Sequence, residues 1–323
     1  MTEQAAVTAL EYEPEHAGTW EKIVASSAAG TMLHTRRFIS YHGDRFRDRS
    51  LMLQDQRGKI VGVFPAAEDP SDQDLVASHP GLTYGGVVHD GSLRGALMVD
   101  ALEQIASHYR DLGYRRLRYK VVPAIYRSAP ADDDIYALFR TGAQQVRCDL
   151  SAAIDLSRRG KISASRPQRR RRAEAAGVSA KEAWNDIEGF WQILEQNLAR
   201  RHNAAPVHSL DEIMMLHDLF PDDILLMAGR IGDELVGGIL LFVGGPAMKA
   251  QYTATTEEGR ALFALDPITE QAIALARERG CRFFDFGTAT LDGGRNLIQD
   301  LYQFKVSFGA GGAVYEQYET ELR

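Results

Sequence analysis

The sequence predicts an α/β protein of the α+β kind, built from two lobes, each a mixed and mostly antiparallel sheet flanked by helices. Three observations lead there. The chain has 323 residues, enough for two domains that each bury a core. Its apolar residues switch repeatedly between strand-like alternation and helical period, so strands and helices are interspersed. One order of elements (hairpin, strand, helix, strand) is also written twice.

The first copy begins with LMLQDQRGKIVGVFPA at 51–66, two short apolar runs around a polar turn, which predicts a hairpin. A strand-like run follows at Thr83–Val88. From about Leu93 the residues Leu97, Ala101, Leu102, Ile105 and Tyr109 recur at a helical period, and Gly113 supplies a C-terminal stop. Tyr114–Val122 then alternates as a half-exposed strand does. In the second copy, Ile224–Ala228 and Leu235–Phe242 form a hairpin around Ile231-Gly232-Asp233. Met248–Thr253 reads as a strand, Leu265–Arg279 as a helix closed by Gly280, and Cys281–Phe286 as a strand. Local echoes support a duplication, such as Gly113-Tyr114-Arg115 against Gly280-Cys281-Arg282. Ser151–Arg166 is polar and rich in small residues, as linkers are, which puts the lobes at 1–155 and 156–323. The second lobe opens with helices over Asp186–Arg201 and from Ser209. Ser209-Leu210-Asp211-Glu212 has the form of a capping box, so His208 sits just before a helix N-terminus. In Cys281–Gly309 a strand ends at Asp285-Phe286-Gly287, a glycine-rich turn follows, and a short helix carries Tyr302 and Lys305. Acids at strand ends followed by loop and helix are where open α/β sheets place ligands.

Composition narrows the function. Hydrophobic residues make up 45% and charged residues 25% of the chain, which excludes a disordered protein. A net charge of −7 opposes a nucleic-acid partner, with a local exception in the basic run from Arg158 to Arg172. No apolar run approaches the ~20 residues needed to cross a bilayer, so no membrane insertion is expected. The acidic N-terminal stretch lacks the order of a signal peptide, and the cysteines, Cys148 and Cys281, suit a reducing compartment. The expected location is cytoplasmic. Histidines and cysteines show no metal-ligand spacing, so no metal is expected. Asp285-Phe286-Gly287 looks like the kinase magnesium motif, but no kinase glycine loop accompanies it.

The second-half order of two helices, a hairpin, a strand, a helix and a closing strand resembles the GNAT (GCN5-related) N-acyltransferase fold. Duplicated, it resembles the two-lobed Fem-type peptidyltransferases and their nucleotide-sugar N-acyltransferase relatives. Arg169–Val178 and Phe283–Gly309 resemble the signatures of that group. Tyr41–Phe46, His79–Gly86, Pro123–Tyr126 and Pro206–Leu210 are similar to segments of bacterial enzymes that acylate the amine of a dTDP-linked amino sugar. The resemblance spans about residues 30–318. It implies transfer from acyl-CoA, as co-substrate, to a nucleotide-linked amino sugar destined for O-antigen or another surface polysaccharide. The pantetheine would lie along 248–254 of the second lobe, with the acceptor between the lobes. Two departures stand out. Where GNAT enzymes carry a glycine-rich phosphate loop at a helix N-terminus, Thr255–Ala261 has one glycine, one arginine and two acids. The spacing from Asn296 to Tyr302 is one residue shorter than the usual form. The rival readings are a Fem-type transferase using aminoacyl-tRNA and a peptidoglycan precursor, and a non-catalytic sugar-binding relative.

Acyl transfer to an amine needs a base, donors for the developing oxyanion, and an acid for the thiolate. His208 is the candidate base, a group that titrates near neutrality, or else a histidine beside a cap. Asp285 would orient the sugar or act as base, or would pair with Arg282 or Lys305. Tyr302 stands where the resemblance puts the acid for the thiolate, and is equally a core tyrosine. Lys305 reaches either a phosphate or, by snorkelling, a structural partner. His79, Tyr84 and Gly85 form a ligand-facing turn or a bulge, and Tyr126 stacks on a nucleotide base or packs. On the donor side stand Tyr252 by the pantetheine, Gly259 and Arg260 in the phosphate loop, and Arg171 and Arg172 toward phosphates or on a solvated helix face. No cysteine is placed as an acyl carrier, so attack would be direct.

Overall fold

The computed structural model describes residues 6–202 and 205–323. The chain runs β1 (Val7–Glu11), α1 (Ala17–Ser26), α2 (Arg36–Ile39), β2 (Leu51–Asp55), β3 (Ile60–Phe64), β4 (Ala67–Asp69), β5 (Asp72–Ala77) and β6 (Val88–His89). Next come α3 (Ala96–Asp111), β7 (Arg116–Lys120), α4 (Asp133–Arg140), β8 (Gln144–Asp155), α5 (Ser165–Ala175), β9 (Val178–Glu182), α6 (Ile187–His202) and α7 (Leu210–Leu219). It closes with β10 (Ile224–Ile231), β11 (Glu234–Gly244), β12 (Ala247–Thr255), α8 (Glu257–Ala261), α9 (Leu265–Glu278), β13 (Phe283–Thr288), β14 (Thr290–Leu291), β15 (Asn296–Leu297), α10 (Gln299–Val306) and β16 (Gly311–Glu321). No described helix is long and apolar enough to cross a membrane.

Two compact units emerge. The first holds residues up to Leu150 with Thr290–Leu297 and Ala313–Arg323, and the second holds Ser151–Ala289 and Ile298–Gly312. The chain therefore changes unit inside β8, not at 155/156, and its last strand returns to the first unit. The expected linker at Ser151–Arg166 is not one. Its first residues are strand, with Ile154 opposite Phe284 and Ala153 opposite Asp285. Ala152 and Ile154 are fully buried, so the small side chains that look like a linker are small because they pack.

In the first unit, β1, β2, β3 and β6 form an antiparallel sheet, and β4, β5, β7 and β16 pair in that order. Helix α3 turns Ala101, Ile105 and Tyr109 into a core that also takes Leu51, Leu53 and Phe64 from β2 and β3. The segment read as a strand at Thr83–Val88 joins a ladder only at Val88–His89. Gly86 takes φ +82°, and the Val87 N–H donates to the Tyr119 hydroxyl at 2.7 Å, so side chains hold this stretch instead of a neighbouring strand. The strand missed in its place is β5.

In the second unit the order is β8, β13, β12, β11, β10, β9. Helix α9 packs on β9 to β13, and α6 packs on β11 and β12. With helices covering it, Ile224–Gly229 of β10 is buried throughout, which is why that strand is continuously apolar.

The duplication can be read in the registers. In the first unit β5 and β7 run parallel through Leu75–Arg116, Val76–Leu117 and Ala77–Arg118, with α3 as crossover. In the second, β12 and β13 run parallel through Ala247–Phe283, Met248–Phe284 and Lys249–Asp285, with α9 as crossover. Both crossover helices end on a left-handed glycine, Gly113 at φ +93° and Gly280 at φ +74°.

Phe284, fully buried in the second core, anchors that short parallel pair. Phe284→Ala should cost about 3–5 kcal/mol through the cavity it leaves. Thermal unfolding would then show the second unit melting earlier, and an unchanged profile would contradict this account of the core.

Candidate active site

The parallel pair of the second unit stops at Lys249 and Asp285. Beyond that point β12 pairs with β11 alone and β13 with β8 alone, so the two strands part. β12 also carries a bulge there. Leu241 faces Ala250 and Leu240 faces Tyr252, which leaves Gln251 without a cross-strand partner. Bulges re-aim side chains and release backbone groups from a ladder, and they recur beside active sites.

Tyr252 follows the bulge. Its hydroxyl lies 2.8 Å from His208 Nδ1 and receives backbone N–H groups of Val207 and His208. Burial raises its pKa. Trp191 on α6 packs edge-on against its ring at 5.5 Å. The capping box is formed, with the Ser209 hydroxyl accepting the Glu212 N–H and the Glu212 carboxylate accepting the Ser209 N–H. This fixes the entry of α7 and, with it, half-buried His208. Two residues chosen separately in the sequence, His208 and Tyr252, thus form one dyad.

Asp285 is fully buried, which differs from its expected roles as base or sugar ligand. Its Oδ1 accepts the Ser151 hydroxyl at 2.5 Å and the Gly287 N–H at 2.9 Å. Arg282, offered as its partner, instead faces Asp155 at 3.7 Å. Two ammonium groups interact with the Asp285 carboxylate. Burial lowers the pKa of Lys249, and Asp285 opposes that shift. Burial likewise lowers Lys305, to about 8, with Asp285 again opposing. The Lys305 ammonium donates to the carbonyls of Gly287 and Thr288, each at 2.8 Å. It therefore holds the left-handed turn at Gly287 (φ +76°) and reaches no solvent-facing phosphate position. Lys249 escaped the sequence reading; its signal was a lysine set between the apolar residues Met248 and Ala250 of a strand.

The expected phosphate loop is not built as one. α8 begins with Glu257 and Glu258, and the Gly259 N–H is taken by the Thr256 hydroxyl at 3.0 Å. A Cβ on Gly259 would lie 2.3 Å from the Val236 carbonyl oxygen, so this glycine serves close packing on β11. Arg260 is exposed. Arg171 and Arg172 are exposed on α5; Arg171 borders a cavity with Arg166 and Arg170, whereas Arg169 and Arg172 each place a guanidinium 5.2 Å from the Phe263 ring centroid. Tyr302 is half-buried on α10 and packs on the second core.

His79, Tyr84, Gly85 and Tyr126 do come together in the first unit, but inside it. His79, Tyr84 and Tyr126 are each 2% exposed, so as described they present no face to a ligand. Tyr84 packs on Tyr126 with ring centroids 4.8 Å apart, and the Tyr315 hydroxyl donates to that of Tyr126. A Cβ on Gly85 would sit 2.5 Å from the Ser78 carbonyl oxygen. The cluster is organised by Lys120, whose ammonium donates to the carbonyls of His79, Pro80 and Leu82 and whose own carbonyl accepts the Gly85 N–H. Burial pushes Lys120 down to about 7 and His79 down to about 3.

Among the described residues no group of acidic, histidine or cysteine side chains is placed to hold a metal. Cys148 and Cys281 are free, and burial raises both thiols, so neither is an activated nucleophile.

Comparison with known proteins agrees with this geometry. Residues 161–303 match the family model of the acetyltransferase (GNAT) domain, so the second unit carries a GNAT-type domain. No curated protein sequence matches the chain. Among solved structures, FemX is similar with a TM-score of 0.69 at 11% identity, over 97% of each chain. L-PGS from Bacillus licheniformis gives 0.61 at 13% identity, covering 97% of this chain and 93% of that one. A tandem GNAT protein from the clavulanic acid biosynthesis pathway gives 0.53 at 14% identity, covering 98% of both. At these identities the likeness concerns the fold, and the fold is the two-lobed, Fem-like form of GNAT.

Lys305 titrates at about 8 when folded, against an ordinary 10.5. Between those values the unfolded chain holds a proton that the folded chain has shed, so stability rises with pH across the window. Lys305→Met should remove that rise, a difference on the order of 3 kcal/mol between the two proteins' slopes. Denaturant unfolding at both ends of the window tests it; parallel curves for variant and native protein would refute the assignment.

Proposed function

We propose that the protein moves an acyl group from an acyl-CoA thioester to the amine of a nucleotide-linked, dTDP-type amino sugar, in the cytoplasm, as a step toward surface polysaccharide. The observation that carries the reading is the parting of β12 and β13 directly beside the His208–Tyr252 dyad. A thioester laid along β12 would meet the unpaired bulge at Gln251, whose backbone is free of the β11 ladder, and preorganised backbone donors are the usual means of holding an oxyanion.

In this reading the His208 Nδ1–H donates to the Tyr252 hydroxyl. Nε2 then carries the lone pair that takes the proton from the attacking ammonium. Tyr302 returns a proton to the departing thiolate. Asp285, sealed from solvent, acts as a positioning residue that fixes Lys249, the Gly287 turn and Lys305. With both thiols raised in pKa, no cysteine carries the acyl group, and the amine attacks the thioester directly.

The units divide the work. The segments resembling amino-sugar enzymes at 41–46, 79–86 and 123–126 all belong to the first unit, which we assign to the acceptor through their exposed residues, Gly43 to Arg45, Thr83 and Ala124, and not through the buried His79, Tyr84 and Tyr126. There the chain after β5 is folded back and held by Lys120, so that unit offers no equivalent place for a thioester. A second reading, a Fem-type aminoacyl-tRNA transferase, draws on the fold likeness to FemX and on the arginines of α5.

His208→Ala should lower kcat about 10²–10⁴-fold while leaving the melting temperature and dTDP-sugar binding unchanged. Release of free CoA thiol from acetyl-CoA, in the presence of dTDP-, UDP- and GDP-linked amino sugars, is the measurement. Sugar binding without turnover in the native protein would mark a non-catalytic relative, and transfer from aminoacyl-tRNA alone would select the Fem-type reading.

A further inference from the structure

Lys120, Lys249 and Lys305 each carry an ammonium into the fold, and the chain treats one of them differently. Lys120 donates to three backbone carbonyls and Lys305 to two. Lys249, half-buried on β12, has neither a hydrogen bond nor an ion-pair partner among the described residues; Asp285 supports its charge without pairing with it. An ammonium drawn away from water and given no partner is costly. The corner it occupies holds two ammonium groups, Lys249 and Lys305, against the one carboxylate of Asp285, so it favours an anion.

The registers fix where this lysine points. β11 pairs Phe242 with Lys249 and Leu240 with Tyr252, and residues directly opposite share a face. The bulge therefore leaves Lys249 and Tyr252 on one side of the sheet, while Met248 and Ala250 enter the core on the other. His208 joins the lysine's side, its ring centroid 6.3 Å from that of Phe242. The Lys249 stem also reaches across to β13, since a Cβ placed on Gly287 would lie 3.9 Å from Lys249 Cε. Because β12 and β13 run parallel and pair only as far as Lys249 and Asp285, the opening between them widens toward Thr255 and Thr288. Lys249 stands at its narrow end.

A thioester that enters from the wide end leads with its acyl group, which then meets the lysine. An aliphatic chain there would leave the ammonium without water and without a partner. A chain ending in a carboxylate would give it a charge-assisted bond. The room is short: from Gln251 back to Lys249 is two residues, about 7 Å of strand, and the lysine stem fills part of it. We infer that Lys249 selects the acyl group, and that the donor is a short dicarboxylic acyl-CoA of the malonyl or succinyl kind whose free carboxylate pairs with the Lys249 ammonium. The inference rests on the acyl-CoA reading above. In the transfer the carboxylate is a bystander. The sugar amine attacks the thioester carbonyl, the C–N bond forms as the C–S bond breaks, CoA leaves as its thiol, and the amide product keeps the free acid.

The test uses the full chain, with thiol release measured from acetyl-, propionyl-, butyryl-, malonyl- and succinyl-CoA against the dTDP-, UDP- and GDP-linked amino sugars. In the native protein kcat/KM for succinyl-CoA should exceed that for butyryl-CoA, a chain of the same length, by about 10- to 100-fold, and the neutral methyl ester of succinyl-CoA should lose that advantage. Lys249→Met, which keeps the length of the side chain and removes its charge, should reverse the order of the two donors. The donor series on the native protein decides the matter even if the variant does not fold. Turnover that favours acetyl- or butyryl-CoA overturns the inference and leaves the acyltransferase reading standing. So does a Lys249→Met protein that keeps the native order of donors, whether its kcat falls equally for all of them or only its KM for the sugar rises. If no CoA thioester is consumed with any sugar, the donor reading fails and takes this inference with it.

Discussion

A single buried carboxylate organises the second unit. Asp285 bonds to β8 through Ser151 and to its own turn through the Gly287 N–H, stands in register with Lys249 of β12, and acts electrostatically on Lys305 of α10. A lone ion in such a place would be prohibitive, and a pair alone would gain little over an apolar core. What makes the arrangement tenable is that the carboxylate accepts hydroxyl and backbone donors while the Lys305 ammonium is spent on two carbonyls. A satisfied polar network rigidifies a core and admits few alternatives. It lies where the strands separate, the place in the sheet that no ladder holds together.

How far the sequence discloses this depends on range. The hairpins, α9 and the capping box are local, and their periodicities and turn residues place them within a few residues. The repeated order was equally legible, down to Gly113 and Gly280. Elements whose identity depends on distant partners were not. β5 opens with Asp72-Gln73-Asp74 and carries no apolar signature until Leu75, because its paired side is fixed by β7, some forty positions downstream. Thr83–Val87 is apolar enough for a strand, but Gly86 and the Tyr119 hydroxyl keep it out of a ladder. Ser151–Ala153 imitates a linker because its small side chains pack against β13.

The site shows the same division. His208 and Tyr252 each carried a reason to be singled out, and only the fold reveals that they touch across more than forty residues. Gly259 was misread because a glycine that permits strand contact and a glycine that cradles phosphate look alike in one dimension; the Val236 carbonyl decides between them. Charged residues inverted most often. For Asp285 and Lys305 the sequence leaves a ligand-facing and a structural reading open, and the structure favours the structural one in each case. Among the α5 arginines Arg166 is the buried member, and burial is a tertiary property that composition does not encode.

The two units solve one problem with the same device and opposite results. In each, a buried lysine ammonium gathers the backbone carbonyls that follow the short parallel pair: His79, Pro80 and Leu82 for Lys120, Gly287 and Thr288 for Lys305. In the first unit the gathered chain folds back over the end of the pair, Gly85 bonds to Lys120, and aromatic rings close over it. In the second unit the gathered chain is only a turn, tied down by Asp285 from within, and the strands beyond it stay parted. A duplicated scaffold that keeps one end closed and the other free can specialise its halves without changing the fold. The carboxylate at 285, accepting the Gly287 N–H beside the lysine, is the local difference that ties the second turn short.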